Sequence, residues 1–259
     1  MIDIQEDNRS DNLGYDVCDW DKNGELLCLR HFLADTKKEL VVYDIGANDG
    51  EWTCAALQAG KCTVYAFEPS GELYQQFIQR INKTDMSSRV NGNCYGLGAI
   101  QSVRTLYVSK GKTPGQKRAG DASSVYEKNV MQHNDVTYYE QPYTEFKTLD
   151  YYAGFRSDHI DFLKIDVEGM ELEVLKGSTQ MLTNRAIDVI QFEYGPKYPA
   201  AGATLQQVYD LLTQYDFELY RIIPTGLLHI PAWRDELECR RFCNYIAIRK
   251  GVKREWRGI

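Results

Sequence analysis

No stretch of the chain approaches the roughly 18 consecutive apolar residues that a bilayer-crossing helix needs. The first residues, Met1-Ile2-Asp3-Ile4-Gln5-Glu6-Asp7, are acidic where a secretory leader is basic and then apolar. A cytoplasmic protein without a membrane span is therefore expected. Cysteine occurs seven times, an odd number, in no Cys-x-x-Cys pair and in no Cys/His array. That excludes a zinc-finger type of site and points to reduced thiols, with Cys54, Cys62, Cys94 and Cys243 reading as small core residues. Basic residues are outnumbered, for a formal charge of −7, which disfavours a nucleic-acid partner because such binding rests on neutralised phosphates. Two local basic clusters, Lys110, Lys112, Lys117 and Arg118, and then Arg249, Lys250, Lys253 and Arg254, read as solvated loops. No internal repeat, low-complexity tract or linker interrupts the chain, so residues 1–259 are expected to form a single domain, with 1–39 as an N-terminal cap or extension.

The most informative stretch is Val41-Val42-Tyr43-Asp44-Ile45-Gly46-Ala47-Asn48-Asp49-Gly50, an apolar run ending in Asp-x-Gly-x-Asn-x-Gly ahead of helix-forming residues. It reads as a strand, a tight turn and a helix start, with Gly46 and Gly50 free to take positive φ and to let backbone approach a ligand. A second apolar strand, Thr63-Val64-Tyr65-Ala66-Phe67-Glu68, ends in an acid about 20 residues beyond the first glycine, the spacing of a ribose-binding carboxylate. A dinucleotide turn would need Gly-x-Gly-x-x-Gly to seat a pyrophosphate at a helix N-terminus. Here Asn48 and Glu51 occupy the second and third of those places, and Asp44 and Glu51 would repel a phosphate. An amino acid-bearing, phosphate-free cofactor fits better. At this point the chain resembles the class I methyltransferases that use S-adenosylmethionine.

The remaining elements alternate. Ser70 followed by apolar residues at 73, 74, 77, 78 and 81 makes a capped helical stripe. Strands are expected near 93–99 and 104–109. The segment 110–143 is polar, without a clear period, and reads as an insertion that covers the cofactor or shapes the substrate site. Order returns with a strand over 160–167, apolar on both faces as in a covered parallel sheet, then a helix over 170–182. A strand over 187–193, a helix over 205–212, a strand over 217–223 and a last strand over 243–248 follow. The expected architecture is an α/β, Rossmann-like, doubly wound seven-stranded sheet with a polar insertion before the fourth core strand and an antiparallel final pair.

The segment Phe162-Leu163-Lys164-Ile165-Asp166-Val167-Glu168-Gly169-Met170-Glu171-Leu172-Glu173-Val174-Leu175-Lys176-Gly177 is similar to the hallmark of the FkbM-type methyltransferases. Asp44 to Gly50, Ala66-Phe67-Glu68-Pro69, Ala122-Ser123-Ser124 and Phe192-Glu193 stand in the order that family shows. The resemblance covers roughly residues 40–195. It implies S-adenosylmethionine as cofactor, O-methylation of a sugar, glycoconjugate or small natural-product hydroxyl, and a place for Ser123 and Ser124 near the cofactor.

The residues support that chemistry. Gly46, Asn48 and Gly50 are placed to approach the amino acid portion, Asp44 to meet its ammonium group, and Glu68 to accept from both ribose hydroxyls. Adenine is expected near Leu97-Gly98-Ala99. Asp166 ends the fourth core strand at the crevice edge, with Lys164 on the same face. A lysine in an apolar strand requires an anion, supplied by Asp166, Glu168 or Glu193. One of these carboxylates is a candidate base, or several together a divalent-metal site, the less favoured option because only oxygen ligands are on offer. The blander alternative pairs Lys164 with Glu168 and leaves Glu171 and Glu173 on an exposed helix face. His133 is a candidate mobile base, and Tyr126, Tyr138, Tyr139 and Tyr143 are candidates to line a ring-binding face. Two other functions compete. A nucleic-acid 2′-O-methyltransferase is opposed by the lysine spacing and the acidic charge, and a non-catalytic cofactor-binding scaffold by the carboxylate cluster.

Overall fold

A computed structural model describes residues 15–17, 19–34, 37–110, 123–127, 137–154, 156 and 158–252. The organising element is an eight-stranded sheet. Toward one edge lies the parallel pair β1 (Leu40–Ile45) and β2 (Cys62–Phe67), with β3 (Val90–Asn93) as the edge strand beside β2. The second and third short strands of the middle segment, β4 (Gly96–Leu97) and β5 (Ser102–Lys110), leave this sheet and pair with β6 (Thr137–Lys147) to form a separate three-stranded sheet. The main sheet continues from β1 through β7 (Phe162–Ile165) and β8 (Val189–Tyr194), both parallel to it. It closes with β9 (Phe217–Ile223), β10 (Gly226–Ile230) and β11 (Cys243–Arg249) in the order β10-β9-β11-β8-β7-β1-β2-β3. The strand β11 runs antiparallel to both its neighbours.

The doubly wound expectation holds, with one more strand than the seven foreseen. The extra one, β10, is the return arm of a hairpin whose two-residue Pro224-Thr225 turn brings Gly226 opposite Ile223. The expected strand near 93–99 is two strands, because the chain turns out of the main sheet after Asn93. Residues 137–147, expected inside or beside an insertion without period, form β6, paired along the length of β5. Its alternation is masked in sequence because much of the strand is neither fully buried nor fully exposed.

Helices cover both faces. On one lie α1 (Glu25–Leu33) and α2 (Glu51–Ala59), whose Cys28, Leu29, Phe32, Trp52 and Ala56 pack on Leu40, Val42, Val64 and Phe162. The helix α3 (Gly71–Ile81) begins as expected at Ser70, whose Oγ accepts from the Leu73 amide at 3.4 Å. On the other face lie α4 (Leu149–Gly154), α5 (Glu171–Lys176), α6 (Thr179–Thr183) and α7 (Leu205–Gln214), with Leu172, Leu175, Leu182 and Val208 against Tyr43, Ile45, Leu163 and Ile190. The helix expected over 170–182 breaks between α5 and α6 at Gly177. A Cβ there would lie 2.1 Å from the Gly98 carbonyl oxygen, so the chain is pinned against β4's exit. Residues 25–33, expected only as part of a cap or extension, thus supply a core helix. Among the cysteines, Cys28, Cys62 and Cys243 are buried, whereas Cys94 is exposed, against expectation. Arg249, expected in a solvated basic tail, is buried over the Phe217 ring beside Asp188, and the cluster at 112–118 lies outside the described residues. No described helix is long and apolar enough to cross a membrane.

Candidate functional site

A cavity of about 620 Å³ opens at the carboxyl ends of β1, β2, β7 and β8, the edge where open α/β sheets bind ligands and within the usual size range of small-molecule sites, about 300–1,000 Å³. One side is the β1–α2 turn. Gly46 has φ 85° and a Cβ would fall 1.8 Å from the Asp166 carbonyl oxygen, so glycine here lets the ends of β1 and β7 touch. Gly46 and Ala47 both donate their amides to the Phe67 carbonyl, at 2.9 and 3.0 Å, tying the turn to β2. Asn48, at φ 51°, donates its amide to Glu68 Oε2 at 2.9 Å, and Ser70 donates to Oε1 at 2.8 Å. Each carboxylate oxygen of Glu68 keeps a lone pair directed elsewhere. Burial pushes its pKa up to about 7, against the pull of those two amides.

Two rungs of polar side chains cross the sheet on its α1 face. Register places Asp44 opposite Lys164 and Lys164 opposite Gln191. One step nearer the cavity, and on the same face by strand alternation, come Asp166, Glu193 and, opposite Glu193, Asn244 of β11. In the inner rung Asp44 is fully buried, accepts from Thr53 Oγ1 at 2.6 Å and pairs with Lys164 Nζ at 3.4 Å. Lys164 also reaches Asp166 at 3.2 Å. Burial works to discharge the lysine, but Asp166, Asp44 and Glu25 together outweigh it and raise its pKa. In the outer rung, burial is likewise overridden at Asp166, which Lys164 and a hydrogen bond from Glu193 hold below the carboxylate range. Glu193 is pushed well above it, by burial and then by the Asp166 charge. The two titrate as a coupled pair in which Glu193 holds a proton more readily than Asp166.

Past Asp166 the chain turns through Glu168 at φ 61° and Gly169 at φ 104°. The turn is held by Glu171, whose Oε1 accepts from the amides of Val167 at 3.0 Å and Gly169 at 3.3 Å. Glu171 is 1% exposed and burial raises its pKa to about 7. Glu173 bonds Arg104 at 2.7 Å and the Tyr126 hydroxyl at 2.7 Å, joining the second sheet to α5. Neither is the surface decoration that the helix pattern suggested. Nor does Glu168 pair with Lys164: it is bridged to Lys197.

Of the residues expected at the site, Gly46, Asn48, Glu68, Ser123, Ser124, Lys164, Asp166, Glu168 and Glu193 line the cavity. Ser123 Oγ accepts from the Ser109 amide at 3.2 Å, and Ser124 forms an isolated bridge with Tyr107. Asp44 and Gly50 do not line it. Asp44 sits behind the wall, paired to the lining residue Lys164, and Gly50, at φ 89°, exists for a different contact, since a Cβ would lie 2.8 Å from the Phe77 ring. The tyrosines expected on a ring-binding face are also absent from the lining. Tyr126 and Tyr139 bond Glu173 and Glu72, and Tyr143 is 85% exposed. His133 lies outside the described residues. Of Leu97-Gly98-Ala99, the stretch expected near adenine, Leu97 lines the cavity, as do Gly96, Phe67, Leu106 and Phe146, whereas Gly98 and Ala99 do not. Residues not foreseen are Trp20, Glu25, Lys197, Phe242 and Asn244. Glu25 carried a readable signal: three and four residues before the core positions Cys28 and Leu29, it is an acid on the apolar face of a helix. Among the described residues, three metal-ligating groups converge within 4.8 Å only at His159, Asp161 and Asp188. That cluster precedes β7 and β8, at the end of the strands away from the cavity, and Asp161 is held there by Lys38 and the Val41 amide.

The family model described as Methyltransferase FkbM domain matches residues 44–219. The hexuronic acid methyltransferase AglP of Haloferax volcanii is 26% identical over 179 residues, 68% of this chain and 65% of its own length. Among solved structures, methyltransferase FkbM from Methylobacillus flagellatus KT aligns at 17% identity with a TM-score of 0.46, over 84% of this chain and 47% of that one. A precorrin-6y C5,15-methyltransferase from Geobacter metallireducens GS-15 aligns at 10% identity with a TM-score of 0.43, over 87% and 86%. The chain thus spans just under two thirds of the length of the Haloferax relative.

Proposed function

The chain belongs to the FkbM methyltransferase family, and from that premise we propose that it transfers a methyl group from S-adenosylmethionine to a hydroxyl of a sugar, glycoconjugate or small metabolite. The observation that carries the reading is the Glu68 carboxylate. It is fixed on the cavity wall by two backbone amides and retains acceptor capacity for a vicinal diol, with an apolar wall on one side and an acidic rung on the other. A ribose with adenine on its apolar side and a cationic amino acid portion on its acidic side matches that order of chemistry.

When bound, the cofactor supplies an electrophilic methyl group on a sulfonium. The protein's residues bind and orient. Glu68 takes the ribose hydroxyls, Leu97, Phe67 and Phe146 take the adenine, and Asn48 and the turn at Gly46 set the backbone that the cofactor lies against. Asp166, kept ionised by Lys164, takes the ammonium role expected of Asp44, which acts from behind by holding Lys164 in place. Ser123 and Ser124, on the second sheet's edge of the wall, close the cavity beside Glu168. The acidic rung disfavours a phosphate-rich acceptor, in agreement with the chain's net charge.

The sugar-type acceptor draws on the name of the Haloferax relative. The test is incubation with S-adenosylmethionine and a set of sugar and metabolite hydroxyls, with mass spectrometry of both products. Formation of S-adenosylhomocysteine together with an acceptor heavier by one methylene is the expected result. Binding of the cofactor with no transfer to any hydroxyl would leave a scaffold and sink the proposal.

A further inference from the structure

The base that an O-methylation needs is not obvious in the family-matched segment. Asp166 is paired with Lys164 at 3.2 Å and hydrogen-bonded to Glu193, contacts that hold its pKa down and make it a poor proton acceptor, and Glu193 is tied up in that same pair. Glu168 is bridged to Lys197. A different carboxylate reaches the same end of the cavity from outside that segment. Glu25, the first residue of α1, lies on the cavity wall, and its partners are neutral amides: Oε1 accepts from Asn23 Nδ2 at 3.1 Å and Oε2 from Gln191 Nε2 at 2.6 Å. Asn23 Oδ1 in turn accepts the Glu25 amide at 2.8 Å, so residue 23 clamps both ends of residue 25. Gln191 belongs to the inner rung, which sets Glu25 over Lys164 and beside Asp166. Trp20, from the turn just before α1, lines the wall too, and Phe242 and Asn244 of the C-terminal segment complete it. None of these four lies within residues 44–219.

We propose that Trp20 and Glu25 form the acceptor subsite for a polyhydroxylated ring, with the apolar ring face on Trp20 and the reacting hydroxyl donating to Glu25, which takes its proton. This rests on the methyl-transfer reading above. The acceptor oxygen forms the new C–O bond, the electron pair of the broken C–S bond stays on sulfur, and the hydroxyl proton passes to Glu25. Sulfonium plus carboxylate become thioether plus carboxylic acid, so charge and atoms balance. A carboxylate bonded to amides, not to cations, keeps the basicity such a step requires. Burial raises the Glu25 pKa to about 7, the Asp166 charge adding to the effect, so its charged form predominates only above neutrality.

The experiment compares wild type, Glu25→Gln and Glu25→Asp for S-adenosylmethionine affinity by calorimetry, for thermal unfolding, and for methyl transfer from the tritiated cofactor to p-nitrophenyl glucoside, galactoside, mannoside and glucuronide between pH 5.5 and 9. Wild type is expected to methylate at least one glycoside at a rate that climbs as pH rises through about 7. Glu25→Gln should keep its cofactor affinity within about twofold and lose on the order of 10²–10⁴ in kcat, with the climb gone. Glu25→Asp should recover part of the rate and the climb. A Glu25→Gln enzyme that keeps a tenth or more of the rate overturns the proposal, as does one that loses cofactor affinity in step with rate. Wild type that binds the cofactor but methylates no glycoside overturns the ring acceptor. Wild type that binds no cofactor fails the underlying reading instead.

Discussion

Replacing Lys164 by Met strips the only cation that Asp44 contacts among the described residues, while leaving a side chain of similar length in the strand. Asp44 is 0% exposed and keeps one hydrogen bond, from Thr53. Lys164 is itself 5% exposed, so the pair exchanges no partner for water. Breaking a buried pair at one end costs about 3–5 kcal/mol, because the remaining charge is stranded. With a urea m-value of about 3 kcal/mol/M for a chain of this size, the unfolding midpoint should fall by about 1–2 M. The double variant Lys164→Met/Asp44→Asn removes both charges and should recover at least about 1.5 kcal/mol of that loss, a coupling of the size found for residues in direct contact. Chemical denaturation of the four proteins of the cycle is the assay. A midpoint shift below about 0.3 M for the single variant, or no recovery in the double, would refute the view that Asp44 and Lys164 form one buried unit beneath the cavity floor.

The β1–β7 contact predicts that Gly46→Ala is severe, costing at least about 2–4 kcal/mol, because its Cβ would meet a backbone oxygen at 1.8 Å and its φ is 85°. Gly202→Ala, also left-handed but with open space around it, should cost about 1 kcal/mol in the same thermal-melt comparison. Glu171 predicts a pH dependence. Its folded pKa, raised from 4.5 to about 7, means that the stability it contributes is complete below about 4.5 and is lost as pH rises through about 7, by up to about 3 kcal/mol. Glu171→Gln should therefore match or trail wild type at pH 5 and gain on it by pH 8.5. A stability difference that is flat across that range would contradict a buried, proton-holding Glu171.

The alternation of strands and helices, the glycine turn after β1 and the acid after β2 were legible because each depends on local pattern: apolar runs, a glycine spacing, an end-of-strand carboxylate. What was illegible depends on distant chain. The sequence offers no sign that the lysine in Phe162–Ile165 would choose Asp44, 120 residues away, over the nearer Glu168, because that choice is made by strand register. Gly50 looked like a ligand contact and is a ring contact, since the position of Phe77 is set by how α3 packs. The strand Thr137–Lys147 hid because only Thr144 and Phe146 among its described side chains are buried, and one of those is polar, so its apolar alternation is weak. Glu25 and Trp20 were not legible because residues 1–39, expected as a cap or extension, carry no motif that names a site residue. An acid on an otherwise apolar helical face was the available clue.

The most direct test of the account is calorimetric titration of the protein and of Glu68→Ala with S-adenosylmethionine. Saturable binding to wild type is expected, with a loss of about 1.5–3 kcal/mol in the variant, roughly tenfold to more than a hundredfold in Kd, as the vicinal-diol contact disappears. Absence of heat and of any thermal shift with wild type, or equal affinity in the two proteins, would contradict the assignment of the Glu68 wall as the cofactor's ribose site.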